Sequence, residues 1–192
     1  MKPVPSFALG LAVVLMFAAP ALHGEPPTSP ELSIDTCFAP EGQCAAMAIR
    51  EIDAAEQRIL VNAYALTAGA GFAEALVRAK ARGADVEVIA DRGVPCERHS
   101  GVPMLIDAAI PVWIDSKVRL AHAKVMVIDG AVTLVGSYNW TVQASLNSED
   151  LNVVRSPSVA AQYERHWRTR RDASTPYRMR DDWCPVGTGM VR

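Results

Sequence analysis

A chain of 192 residues, half of them apolar and about a fifth charged with both signs interspersed, can bury one sizeable core and is too apolar to stay disordered. Its formal net charge of −2 excludes a globally basic protein that coats nucleic acid. Any contact with a polyanion has to come from a local excess of cations.

Lys2 precedes a 13-residue apolar run, Phe7 to Ala19, and Ala19-Pro20-Ala21 has the small-x-small form of a cleavage site. Residues 1–21 therefore read as a secretory signal peptide, with a cut as late as residue 24 also compatible. The run is well short of the roughly 18 apolar residues of a spanning helix, so no stable membrane insertion is expected, and the destination is periplasmic or secreted. Removal takes away only Lys2 and leaves 18 basic against 21 acidic residues, a formal charge of −3. Residues 25–31 read as a loose polar leader, 32–175 as one folded domain and 176–192 as a tail.

Within the domain, Ser33 to Phe38 reads as a strand, Cys44 to Gln57 as an amphipathic helix and Arg58 to Leu66 as a strand buried on both faces. Gly71 to Arg82 is a second helix closed by Gly83, and Asp85 to Ala90 another buried strand. A short helix from Pro103 to Ala109 leads into a strand at Ile110 to Ile114. After a central hairpin come a polar loop, Tyr138 to Ser148, a strand at Leu151 to Val154 and a last helix from about Ser158 to Asp172. The alternation predicts an α/β fold, a mixed, mostly parallel sheet layered between helices. Cys37, Cys44, Cys96 and Cys184 are an even set in a chain that reads as exported and suggest disulfides in one of three connectivities. Pairing Cys37 with Cys44 would close a short loop and leave Cys96 to tie down the tail through Cys184.

The hairpin, LAHAKVMVIDGAVTLVGSYNWT, holds the chemistry. Two valine-rich strands, Ala121 to Ile128 and Ala131 to Gly136, flank Asp129-Gly130, a strong two-residue turn signal. A two-residue turn sets Lys124 opposite Val135 and His122 opposite Ser137, so His122, Lys124, Ser137 and Asn139 share a face at the open end. Opposed side chains have Cβ atoms roughly 5 Å apart, and this grouping is suited to an anion. Asp129 falls seven residues from His122, roughly 23 Å along the strand, and belongs to the turn rather than to the chemistry.

As a pattern this is H-x-K-x4-D followed by G-S-x-N, filled by His122, Lys124, Asp129, Gly136, Ser137 and Asn139. It resembles the phospholipase D superfamily, and the order of elements from about Pro40 to Trp167 resembles its small, single-motif bacterial endonuclease branch. The resemblance implies phosphodiester cleavage without metal or cofactor, through a histidine nucleophile and a phosphohistidine intermediate. Neutral imidazole attacks phosphorus, a second imidazolium protonates the leaving oxygen, and lysine and amide donors hold the charge on the equatorial oxygens. Larger members carry two motifs; this chain has one, and His99 and His166 lack a following lysine. A homodimer bringing two copies of His122 to one phosphate is therefore expected. Glu149 matches the family's downstream acid and is expected to accept a hydrogen bond from the His122 ring.

The expected substrate is DNA, with RNA as a second possibility, cut without sequence preference. Candidate phosphate contacts are Lys117, Arg119, Arg165 and Arg168, the last two from a stretch, Glu164 to Arg180, with six arginines and two acids. That stretch is equally readable as a solvated helix face. A lipid phosphodiesterase of phospholipase D type would use the same motif, and a catalytically silent polyanion-binding protein is the third reading.

Overall fold

In the computed structural model, residues 32–179 and 184 are described; the signal-peptide and leader readings lie outside them. The elements in chain order are β1 (Ser33–Ala39), α1 (Cys44–Ala54), β2 (Arg58–Ala63), α2 (Phe72–Ala81), β3 (Asp85–Asp91), α3 (Val102–Asp107) and β4 (Val112–Asp115). The hairpin β5 (Lys124–Ile128) and β6 (Val132–Gly136) follows, then β7 (Glu149–Arg155), α4 (Pro157–Ala173) and a two-residue β8 (Thr175–Pro176). Gly83, at φ +102°, ends α2 as expected, its N–H donating to Lys80 O and the next N–H to Ala79 O.

The strands form one mixed sheet ordered β1-β7-β6-β5-β2-β3-β4-β8. The expectation of mostly parallel pairing needs correcting. Only β2–β3 and β3–β4 are parallel, and the other five pairings are antiparallel. The physical reason is the length of the connections: helices α2 and α3 supply crossovers, whereas the short links around β5, β6 and β7 suffice only for antiparallel neighbours.

Helices α1, α2 and α3 bury Ile52, Phe72, Leu76 and Leu105 against one face of the sheet, in a core shared with Val61, Val88 and Met126. The other face is covered by α4, whose Ala160 and Trp167 pack on Leu60, Ile89, Val125 and Val127. The continuous apolar run of β2 thus reflects a strand with helices above and below it. Trp167 also donates its indole N–H to Val61 O at 2.9 Å, which fixes α4 across the centre of the sheet.

The turn at Asp129-Gly130 forms, with φ +50° and +64° and Ala131 N donating to Ile128 O at 3.1 Å. Ala131, however, is an extra residue whose carbonyl turns aside to accept Ser156 N at 2.9 Å. Ile128 therefore pairs with Val132 and Val125 with Val135, one residue out of the register that a plain two-residue hairpin gives. Lys124 is not opposite Val135. Asp129 accepts the backbone N–H of Glu56 at 2.9 Å and of Gln57 and Arg58 at 2.8 Å each, pinning the turn to the link between α1 and β2. Burial raises its pKa, but these three bonds and the charge of Arg58 outweigh it and hold the carboxyl below its ordinary value.

Disulfides join Cys37 to Cys44 and Cys96 to Cys184, the first spanning seven residues and the second 88. The second ties the tail to the connection that follows β3.

Candidate active site

His122 is not in a strand. β5 starts only at Lys124, and residues 116–123 form an irregular loop held at three points. Asp91, at the end of β3, accepts Ala121 N at 2.8 Å; Asp115, at the end of β4, accepts Lys117 N at 3.2 Å; Ala123 O accepts Tyr64 N at 3.2 Å. The two carboxylates are buried, at 6% and 3% exposure, so the loop is anchored from inside the fold while His122 itself stays exposed. This placement replaces the expected ladder position opposite Ser137.

Lys124 is buried, and its Nζ donates to His122 O at 2.7 Å. The same Nζ is 3.1 Å from both ring nitrogens of His122. Lone pairs on those nitrogens diverge, so one ammonium cannot be aligned with both, and the directed bond is the one to the carbonyl. Tyr64 completes the arrangement: its ring centroid is 4.2 Å from that of His122 and 4.4 Å from Lys124 Nζ. Burial lowers the Lys124 pKa from its ordinary value, and the negative charge of Glu149 opposes the fall.

Gly136 lets β6 approach β7 closely enough for Ser137 N and Tyr138 N both to donate to Asp150 O at 3.1 Å. A Cβ at Gly136 would collide with the Asp150 carbonyl, its carbon 2.9 Å away. Ser137 Oγ accepts Asp150 N at 3.0 Å and donates to Glu149 Oε2 at 2.5 Å, so its single proton is already committed. Glu149 also accepts from Asn147 Nδ2 at 3.1 Å. Within one chain, then, its carboxylate is held by Ser137 and Asn147, and the expected bond to the His122 ring is not formed. The His122 ring packs on Tyr64 instead, and both oxygens of Glu149 are taken, Oε2 by Ser137 Oγ and Oε1 by Asn147 Nδ2.

His122, Lys124, Ser137, Asn139 and Glu149 nevertheless line one open cleft of about 630 Å³, with Tyr163 of α4 on its wall. Asn139 Oδ1 is buried there without a hydrogen-bond partner. Asp129 is not part of this cleft. It borders a separate depression with Gln57, Arg58 and Gly130, in keeping with its assignment to the turn. The arrangement offers an exposed imidazole, a buried ammonium and a side-chain amide around one space, groups able to bind a phosphodiester anion and present a nucleophile to phosphorus.

The outlying cations divide into two sets. Lys117, Arg119 and Arg165 are exposed and, among the described residues, no ion pair or side-chain hydrogen bond engages them. Arg168 is held by Glu164, with its Nη2 at 2.6 Å. Arg170 forks onto Asp115 at 2.8 and 2.7 Å, and Arg171 reaches Glu87 and Asp172. Three of the arginines in that stretch, Arg168, Arg170 and Arg171, are thus internally neutralised. None of Lys117, Arg119, Arg165 or Arg168 lines the cleft at His122.

Residues 48–170 match the family described as "Cardiolipin synthase, PLD-like domain", well over half of the chain. The chain belongs to the phospholipase D superfamily. Among curated relatives, a phospholipase D of Rickettsia typhi is 31% identical over 83% of this chain and 79% of its own length. A mitochondrial cardiolipin hydrolase of Xenopus tropicalis is 29% identical, with 84% and 79% covered. Among solved structures, Nuc of Salmonella typhimurium, a phospholipase D family member, is 32% identical, superposes with a TM-score of 0.72 and is covered in full by 78% of this chain. As a phospholipase D superfamily member the chain is a phosphodiester hydrolase. Sequence reasoning missed Tyr64, which it absorbed into an apolar strand, and Asp91 and Asp115, whose position at the ends of parallel strands β3 and β4 was the available signal.

Proposed function

We propose that this protein is an exported, metal-independent and sequence-nonspecific endonuclease acting on DNA, and on RNA where it is presented, at a site completed by a second copy of the chain. The observation that carries the nucleic-acid reading is the set of unengaged cations Lys117 and Arg119, which stand on the loop that presents His122, together with Arg165 on α4. A single headgroup needs only the phosphate site, whereas a polymer brings further phosphates to these side chains.

The chemistry requires two imidazoles, and one chain contributes one His122. Neutral His122 attacks phosphorus and forms a P–N bond. The P–O bond to the leaving alkoxide breaks as that oxygen takes a proton from the partner's protonated imidazole. Water, giving its proton back to that imidazole, then displaces His122 and leaves a phosphate monoester. Lys124, held by the His122 carbonyl and the face of Tyr64, carries the positive charge beside the equatorial oxygens. The buried, unpaired end of the Asn139 amide lies in the same space. The two disulfides suit an oxidising compartment, in keeping with export.

The relatives named phospholipase D and cardiolipin hydrolase favour a second reading, a lipid phosphodiesterase with the same chemistry. The experiment is plasmid nicking in excess EDTA beside headgroup release from phosphatidylcholine and cardiolipin vesicles, for wild type and His122→Ala. Nicking that is lost in the variant supports the nuclease. Headgroup release without nicking assigns the site to lipid, and inactivity on both substrates leaves a polyanion-binding protein.

A further inference from the structure

Beside the main cleft, a smaller one of about 220 Å³ is walled by Val118, Leu120, Ala121, Asn62, His166 and Arg170. His122 and Ala123 line both, so the nucleophile stands at their boundary. Helix α4 runs past the pair: Tyr163 faces the larger cleft, and His166 and Arg170 the smaller, at i, i+3 and i+7 on one stripe. A substrate lying along α4 with its phosphate at His122 therefore places its next unit in the smaller cleft.

The chemistry of that cleft argues against a second phosphate. The guanidinium of Arg170 is spent on Asp115, which is itself buried, so the pair contributes little net charge. What remains is an apolar wall of Val118, Leu120 and Ala121, with Leu120 at 48% exposure and nothing in the described chain covering it. Two polar groups, the Asn62 amide and the His166 ring, make no side-chain hydrogen bond among the described residues. The volume lies below the roughly 300 Å³ at which drug-sized sites begin, room for one flat ring system rather than two. An apolar face with a few polar groups at its edge is the complement of a nucleobase.

We propose that the smaller cleft is a subsite for one unpaired nucleobase flanking the scissile phosphate, seated on Leu120 and met at its edge by Asn62 and His166. This inference rests on the nuclease reading. It adds a consequence: a base held in a duplex cannot enter, so single strands and locally opened duplexes are the preferred substrates.

The test uses thymidylyl-thymidine, which has one scissile bond, and two counterparts in which one or the other base is replaced by hydrogen. Removing the base on one side is expected to lower kcat/KM of the wild type about tenfold, the effect of losing one apolar face buried against the Leu120 wall. Removing the other should matter less. In Leu120→Ser and His166→Ala, both surface changes, this base dependence should shrink to about twofold. Equal rates on all three substrates in the wild type, or an unchanged base dependence in both variants, would overturn the proposal. Headgroup release from vesicles that is lost in Leu120→Ser would also overturn it, by giving the cleft to a lipid. Failure of the nuclease reading looks different: no dinucleotide, oligonucleotide or plasmid is cut while headgroups are released.

Discussion

Replacing Asp129 with alanine separates the residue that defines the motif in sequence from those that perform its chemistry. The carboxylate holds three backbone N–H groups, two on Oδ1 and one on Oδ2, all within 2.9 Å. A hydrogen bond to a charged group is worth about 1.5–3 kcal/mol, and because the three share one carboxylate and a partly exposed site their loss is not additive. Alanine at φ +50° adds about 1 kcal/mol of backbone strain that aspartate tolerates better. A destabilisation of about 3 kcal/mol follows, or a fall in Tm of roughly 6–12 °C for a domain of this size. Asparagine should fall between, because its carbonyl keeps the Oδ1 bonds while its amide nitrogen meets the Glu56 N–H donor to donor. The same bonds set the pH dependence. With its folded-state pKa depressed, Asp129 stabilises the protein above the unfolded carboxyl pKa, and this contribution is lost as pH falls through the folded value. Thermal denaturation followed by circular dichroism gives the stability. Turnover of bis(4-nitrophenyl) phosphate well below Tm gives the chemistry, expected within about threefold of wild type. An unchanged Tm, or a hundredfold loss of kcat in a variant with intact circular dichroism, would refute the reasoning.

Four further outcomes follow from the structure. Activity should fall at alkaline pH with a midpoint below the ordinary lysine value as Lys124 loses its proton, and Glu149→Gln, which removes the charge opposing that loss, should move the limb to lower pH; a pH profile of kcat/KM checks both the position and the direction. Gly136→Ala should push β6 from β7 and cost about 2 kcal/mol or more of stability together with activity, measured by urea denaturation, because the Asp150 carbonyl stands where the methyl would go. Neutralising Lys117, Arg119 and Arg165 together should flatten the salt dependence of DNA affinity by roughly 0.7–0.9 in slope for each phosphate that is no longer bound. Arg170→Ala should instead lower stability by leaving the buried Asp115 unpaired, a difference visible by comparing salt titrations with melting curves.

The hairpin shows how far local pattern reaches. Asp129-Gly130 announced its turn because both positions require positive φ, and the polar residues inside apolar strands marked the cleft that holds His122, Lys124, Ser137, Asn139 and Glu149. The bulge at Ala131 was not legible, since it depends on Ser156 N, 25 positions along the chain. The loop around His122 was hidden for the same reason. Its anchors, Asp91 and Asp115, lie on other strands, and local patterning cannot report which carboxylate will reach which backbone N–H. The arginines at the C-terminal end carry the converse lesson: of a run that sequence alone leaves open between a phosphate footprint and a solvated face, Arg168, Arg170 and Arg171 are paired once Glu164, Asp115 and Glu87 are brought against them.

Two copies of His122 serving one phosphate is the central claim. Wild-type and His122→Ala chains bearing different tags can be co-expressed and the heterodimer isolated by sequential affinity steps. The expected result is near-inactivity on bis(4-nitrophenyl) phosphate, because a composite site missing either imidazole lacks its nucleophile or its acid. A heterodimer with half the wild-type activity, or a fully active monomer, would contradict the claim and would place the complete site within a single chain.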